Sequence, residues 1–284
     1  MFTPRELAQL RRLEILASKV RKGEVRGERE VSRRGPGSGF REHRAYQEGD
    51  ALRSVDWNVY ARMRSLVVKE FEAEEALEVV LVQDVSASME GAAARTAAKA
   101  AAGLGFVALS QYERVVWIPA GGGARAGESF TGRARMPQLL EAASNAAGGR
   151  TDLLAAVRAH LPRRGRGGVA FVLSDFFDPQ GATRALSYLL SRRYRVRALL
   201  IEDPARLQPP GPGRSRLVDS ETGASIVLHV TPEVVAAYER HLRARENGLR
   251  VFCRRAGAGF LRVRADQPFF EVVRAAVARG WLSP

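Results

Sequence analysis

The sequence predicts an α/β fold in which a mostly parallel central sheet is covered by helices on both faces, a doubly wound, Rossmann-like arrangement. Three features carry this. From residue 77 onward, strand-like apolar runs alternate with helix-like segments, the order expected of parallel strands joined by crossover helices. Two of those runs, 77–85 and 167–177, are almost continuously apolar, as strands buried on both faces are. The chain has 284 residues, of which 45% are hydrophobic, enough to bury a sizeable core.

At the N-terminus, residues 4–22 predict a helix, with Thr3 as its N-cap, Pro4 at the first helical position, and Leu7, Leu10, Leu13, Ile15 and Leu16 near helical spacing. Residues 23–75 read as turns and short strands, punctuated by Gly35, Pro36, Gly37 and Gly39, with a strand-like stretch over 65–75. This polar segment cannot bury much core alone and is expected to pack on the remainder of the chain. The chain is therefore divided into an N-terminal segment, 1–75, and a main domain, 76–284.

Within the main domain, strands are expected at 77–85, 114–120, 167–177, 195–203, 249–253 and 259–264. Helices are expected at 89–112, 136–147, 152–160, 181–193, 231–247 and 268–279. A hairpin with a Glu-Thr-Gly turn falls between the Pro/Gly-rich loop 204–213 and the helix that starts at 231. In such sheets ligands sit at the carboxyl ends of the strands.

Composition excludes several classes. The single cysteine, Cys253, rules out an internal disulfide and a thiolate-rich metal site, and reads as a small buried apolar residue. The first residues lack the apolar core of a signal peptide, and no run approaches the roughly 18 apolar residues of a membrane span. The expectation is a cytoplasmic protein. The net charge is +14, and only Lys19, Lys22, Lys69 and Lys99 are lysines, so 41 of the 45 basic residues are arginines. They scatter over every segment, and aromatics interleaved with them are sparse, which argues against nucleic-acid binding as the main function.

Chemistry concentrates at strand ends. After the first buried strand come Asp84, Ser86 and Ser88; after the later one come Ser174 and Asp175. Alternate residues of an extended loop project to one side, so Asp84, Ser86 and Ser88 can converge. Between them in sequence, Thr151 and Asp152 precede a helix. Read singly, the hydroxyls are helix N-caps and Asp175 a turn residue. Read together, two carboxylates and three hydroxyls are hard oxygen donors that suit Mg²⁺, with Mn²⁺ or Ca²⁺ as alternatives. Such a set leaves a coordination position for an incoming carboxylate.

The Asp84–Ser88 run resembles the D-x-S-x-S signature of the metal-ion-dependent adhesion site of von Willebrand factor A domains, and Thr151 and Asp175 match the motif's later Thr and Asp. The resemblance implies that Ser86, Ser88 and Thr151 contact the metal directly and that Asp84 and Asp175 often act through water. Upstream, residues 37–75 resemble the hallmark of the bacterial family called domain of unknown function 58. The matching positions are Arg44, Tyr46, Gly49, Asp50, Arg53, Asp56, Trp57, Ala61 and Arg62. Members of that family commonly carry two N-terminal membrane helices, which this sequence does not show, and are associated with MoxR-type AAA+ ATPases as partners or co-chaperones. The implied function is metal-dependent gripping of a protein partner, such an ATPase or its client. Read from the residues alone, Arg44, Arg53 and Arg62 with Asp50 and Asp56 suit a salt-bridge network, and Tyr46 and Trp57 suit packing anchors.

Catalytic readings fit less well. The alternatives are a nucleic-acid-binding protein driven by the arginine excess and a metal-dependent phosphohydrolase using Asp84, but the latter generally wants a second Asp two residues on and a lysine nearby. Position 86 is Ser, and no lysine follows Lys99. No G-x-S-x-G elbow surrounds the serines, and no P-loop is present. His43, His160, His229 and His241 lack ligand spacing and read as surface or packing residues.

Overall fold

A computed structural model of the chain describes residues 2–15, 39–47, 55–72, 77–122, 126–146, 148–161 and 167–283. They form two compact units. Residues 2–15 belong with 77–283 in the larger one, so the first helix is part of the main domain rather than of the segment with which the sequence groups it.

That helix, α1 (Pro4–Leu10), begins on a capping box: Thr3 Oγ1 accepts from the Glu6 amide at 3.2 Å and Glu6 Oε2 accepts from the Thr3 amide at 2.7 Å. It ends far short of the expected residue 22. Glu14 and Ile15 turn extended as β1 (Glu14–Ile15) and pair antiparallel with Ser283 and Leu282, and Ile15 N donates to Gln111 Oε1. Those partners take the backbone groups that a longer helix would have used internally. Residues 16–22 lie outside the described residues.

The smaller unit contains β2 (Gly39–Ala45), α2 (Trp57–Met63) and β3 (Val67–Glu72). β2 and β3 pair antiparallel, with Arg44 opposite Val68. The helix interrupts what the sequence suggests is only turns and strands. Its cause is Asp56, whose Oδ1 accepts from the amides of Asn58 and Val59 at 3.0 and 3.4 Å.

The larger unit is built on β4 (Glu78–Asp84), α3 (Ala92–Ser110), β5 (Arg114–Ala120), β6 (Glu128–Thr131), α4 (Met136–Ser144), α5 (Leu153–His160), β7 (Gly168–Ser174) and α6 (Pro179–Ser191). It continues through β8 (Tyr194–Glu202), β9 (Gly213–Val218), β10 (Ser225–Val230), α7 (Pro232–Arg255), β11 (Gly259–Arg264), α8 (Phe269–Ala278) and β12 (Leu282–Ser283). Six strands form one sheet in the order β11-β8-β7-β4-β5-β6, parallel except for β6. This is the mostly parallel, doubly wound sheet that the alternation predicts.

β4 sits inside the sheet, between β7 and β5, and its side chains alternate between two cores. Val79 and Leu81 join α3, α4 and α8 on one face; Val80 and Val82 join α5, α6 and α7 on the other. Burial on both faces explains why the run carries no polar alternation. Between Glu78 and Asp84 at the strand's two ends the polar residue is Gln83, whose Oε1 accepts from the Trp117 indole at 2.9 Å while its Nε2 donates to Ala143 O at 3.0 Å. On the first face Lys99 donates to Glu6 Oε1 at 2.6 Å and lies over the Phe2 and Phe269 rings, fastening α1 to α3 and α8.

Two further elements, both in the larger unit, depart from the sequence expectation. The strand expected at 249–253 is the last part of α7: Arg245, Leu249 and Cys253 are its buried residues, four apart, so the apolar run is one stripe of a helix. The edge strand β6 has no counterpart among the expected strands because Glu-Ser-Phe-Thr buries only Phe130. Cys253 is fully buried, and burial pushes its thiol up to about 11, the behaviour of an inert packing residue. Among the described residues no helix is long and apolar enough to cross a membrane.

Candidate functional site

β4 and β7 are neighbours in the sheet and run parallel, so their carboxyl ends lie side by side. This places Asp84 next to Ser174 and Asp175, although about ninety residues separate them in sequence. Asp84 Oδ1 accepts from the Ser86 amide at 3.0 Å, and Oδ2 accepts from Ser174 Oγ at 2.5 Å. Ser174 Oγ in turn accepts from the Phe176 amide at 2.9 Å. The carboxylate is held at both oxygens and is 1% exposed.

Past Asp84 the chain stays extended at Ser86 and then makes a single 3₁₀ turn over 87–89 before α3. The Ser86 and Ser88 hydroxyls therefore lie on one side, 3.1 Å apart. This loop is clamped by its neighbours. Ala87 N donates to Gly149 O at 3.0 Å, and the segments 121–122 and 148–150 bond to each other through Gly122 and Arg150. The approach favours glycine: a Cβ on Gly148 would stand 3.2 Å from both Gly121 Cα and Val85 Cγ2. On the outer side Arg206 donates to Ser88 O at 2.9 Å and to Glu90 O at 3.3 Å. Thr151 comes directly after the clamped segment, ahead of Asp152, which caps α5.

The structure thus brings Asp84, Ser86, Ser88 and Asp175 to one rim, with Thr151 on the bounding loop. Asp175 Oδ1 accepts from the Phe177 amide at 3.2 Å, while its Oδ2 is buried and takes no hydrogen bond. Burial first, and then repulsion from Asp175, pushes the Asp84 carboxyl up to about 6. Burial also raises Asp175, and the nearby Ser88 hydroxyl, the Phe177 amide and the Arg245 charge pull it back. Two desolvated carboxylates, one of them with an orphaned oxygen, thus share the attraction of a single nearby cation, Arg245, which only partly offsets their burial. No group of three His, Cys, Asp or Glu side chains among the described residues could hold a metal ion alone. A cation here would rely on the hydroxyls and on water.

Three contributors escape the sequence reading. Ser174 stands in the sequence beside Asp175, but nothing local shows that it supports Asp84. Arg245 lies on α7, its guanidinium 4.0 Å from the Phe177 ring centroid. Glu221, on the turn between β9 and β10, accepts from Thr151 Oγ1 at 2.6 Å and from Thr151 N at 3.3 Å. A hairpin-turn glutamate carries no signal that it meets a residue 70 positions earlier.

The upstream motif resolves in part. Gly49, Asp50 and Arg53 lie outside the described residues, as does the Arg44 side chain. Asp56 caps α2 and its Oδ2 pairs with His43 Nε2 at 3.1 Å. Tyr46 is half-buried and its amide donates to Leu66 O, while Arg62 is exposed. Trp57 is the first residue of α2, with its ring edge-on to Tyr60 in the same unit.

Fold and rim together define an α/β domain with an oxygen-lined cluster at the carboxyl ends of adjacent parallel strands. The chain belongs to the family described as "Protein of unknown function DUF58", whose model matches residues 42–248. Uncharacterized proteins of Mycobacterium bovis and Mycobacterium tuberculosis are each 30% identical to it over 287 residues, spanning 97% of this chain and 90% of theirs. Among solved structures, the conserved hypothetical protein BatB of Bacteroides thetaiotaomicron is 15% identical with a TM-score of 0.39, over 72% of this chain and 97% of that one. An aerotolerance-related membrane protein of Bacteroides fragilis is likewise 15% identical, with a TM-score of 0.37, over 72% and 98%.

Proposed function

We propose that this chain is a non-catalytic protein-interaction module of von Willebrand A type that grips a partner's carboxylate through a divalent metal, Mg²⁺ in the simplest case. Ser86, Ser88 and Thr151 would hold the ion directly, with Asp84 and Asp175 behind them through water. Bound there, a hard cation supplies a Lewis-acidic position that an anionic oxygen of another protein can fill. The partner expected from the family resemblance is a MoxR-type AAA+ ATPase or its client.

The observation that carries this reading is the buried, unpartnered Asp175 Oδ2 beside the equally buried Asp84. Those two carboxylates repel, and a cation on the rim relieves the repulsion. The 3.1 Å between the Ser86 and Ser88 hydroxyls adds support, because adjacent oxygens around a Mg²⁺ ion with bonds of about 2.1 Å sit roughly 3 Å apart. A phosphohydrolase using Asp84 would be expected to carry a second Asp two residues on, where this chain has Ser86.

Calorimetric titration with Mg²⁺ and Mn²⁺, followed by binding to a purified MoxR-type ATPase with and without EDTA, tests the proposal. One ion should bind per chain, Asp84→Ala should abolish that, and partner binding should need both the ion and Asp84. Partner binding that survives EDTA and Asp84→Ala alike contradicts the mechanism. Turnover of phosphate esters lost on Asp84→Asn would favour the hydrolase instead.

A further inference from the structure

Glu221 touches the rim but has no role in a simple metal-bridged grip. We propose that it is an internal carboxylate occupying the position a partner's carboxylate would take, so that the β9–β10 hairpin must withdraw before a partner is captured. This inference rests on the metal-dependent reading of the same rim.

Glu221 Oε1 lies 2.6 Å from Thr151 Oγ1. That is hydrogen-bond contact with the hydroxyl that would ligate the ion, and it is near the roughly 3 Å spacing of neighbouring oxygens around a small hard cation. The second observation is the unpartnered Oδ2 of Asp175, on a residue 5% exposed, which marks the same rim as short of a cation. Chemically, Glu221 is what a partner is expected to bring: one carboxylate on a short flexible stem.

The hairpin is suited to present that group and to give it up. Its tip is preformed: Asp219 Oδ1 accepts from the amides of Glu221 and Thr222 at 2.9 and 2.7 Å, and Gly223 closes the turn at φ 71°. Its strands pair only with each other among the described residues. Leu217, Val218, Ile226 and Val227 are exposed, so little core holds the hairpin in place. An isolated two-stranded hairpin is marginally stable. The bonds from Thr151 fasten its tip to the rim, and a stronger claim on the ion by another carboxylate would release it.

The test uses Mn²⁺ as the probe on the full chain. Its affinity and its number of bound waters are read by water-proton relaxation, with acetate added as a free carboxylate. Glu221→Ala should weaken Mn²⁺ binding about tenfold, add one exchangeable water, and let acetate displace that water, which it cannot do in the wild type. Mn²⁺ should also slow amide exchange over 213–230 in the wild type alone. Glu221→Gln, which keeps the size of the side chain, is read in the same way if the alanine variant folds poorly. Identical affinity, water count and acetate response in wild type and both variants overturns the latch and leaves the metal site standing. Failure of the wild type to bind Mn²⁺ at all overturns both.

Discussion

Ser174 bridges the ends of two adjacent strands, donating its hydroxyl to Asp84 Oδ2 at 2.5 Å while accepting from the Phe176 amide. It sets the plane of a buried carboxylate without facing the rim itself. Ser174→Ala therefore removes one bond to a charged group and leaves a buried amide unsatisfied. We expect a loss of about 1–3 kcal/mol in urea denaturation and roughly tenfold weaker Mn²⁺ binding. A variant as stable as the wild type, with unchanged affinity, would contradict the assignment.

Asp84 gives the metal-free protein a particular pH dependence. Its carboxyl is pushed from 3.8 to about 6 in the folded state, by burial and then by Asp175. Between those values the folded state binds more protons than the unfolded state, so stability falls as pH rises through that window. The effect is on the order of 3 kcal/mol for a shift of this size. Denaturation in EDTA should show that decline between about pH 4 and 6, relative to Asp84→Asn, in which it flattens. Mg²⁺ should restore more stability at pH 7 than at pH 4. Wild-type and Asp84→Asn curves that run parallel would show that Asp84 is not strained in this way.

Removing the charge outright draws on the same physics. Asp84→Asn keeps an oxygen for the Ser86 amide but ends the repulsion with Asp175. In EDTA at pH 7 the variant should be more stable than the wild type by about 1–3 kcal/mol, while losing Mn²⁺ binding in calorimetry. Loss of both stability and binding would mean that Asp84 holds the loop rather than an ion.

The sheet was legible because β4 and β7 are continuous apolar runs, and a strand buried on both faces leaves little else for such runs to be. The two strand-end motifs were legible for the same reason, since Asp84 and Asp175 each stand where a readable strand stops. The clamping of Thr151 was not. It depends on Gly121 and Gly148 approaching backbone to backbone, and a glycine in a loop does not disclose which other glycine it meets. Glu221 was invisible because turn chemistry explains its neighbours, Asp219 and Gly223, without any long-range contact. The 249–253 run misled because five apolar-rich residues cannot distinguish a short strand from one stripe of a long helix.

Arg245 and Glu202 form a buried pair whose two members should respond unequally to substitution. Arg245 Nη2 donates to Glu202 Oε1 at 2.7 Å, while the more exposed Arg262 donates to Glu202 Oε2 at 2.6 Å. Arg245 Nε and Nη1 have no hydrogen-bond partner, and its guanidinium lies against Phe177, next to Asp175. Two cations thus share one carboxylate, and one of them is poorly satisfied. Glu202→Gln leaves Arg245 as a buried cation without its anion and should cost about 3–5 kcal/mol. Arg245→Met keeps the apolar stem and leaves Glu202 paired with Arg262, so it should cost at most about 1–2 kcal/mol. It should also push the Asp175 carboxyl higher, because the Arg245 charge that pulls it down is gone. Denaturation of both variants settles the order, and a larger loss for Arg245→Met would mean that its stacking on Phe177 outweighs the ion pair.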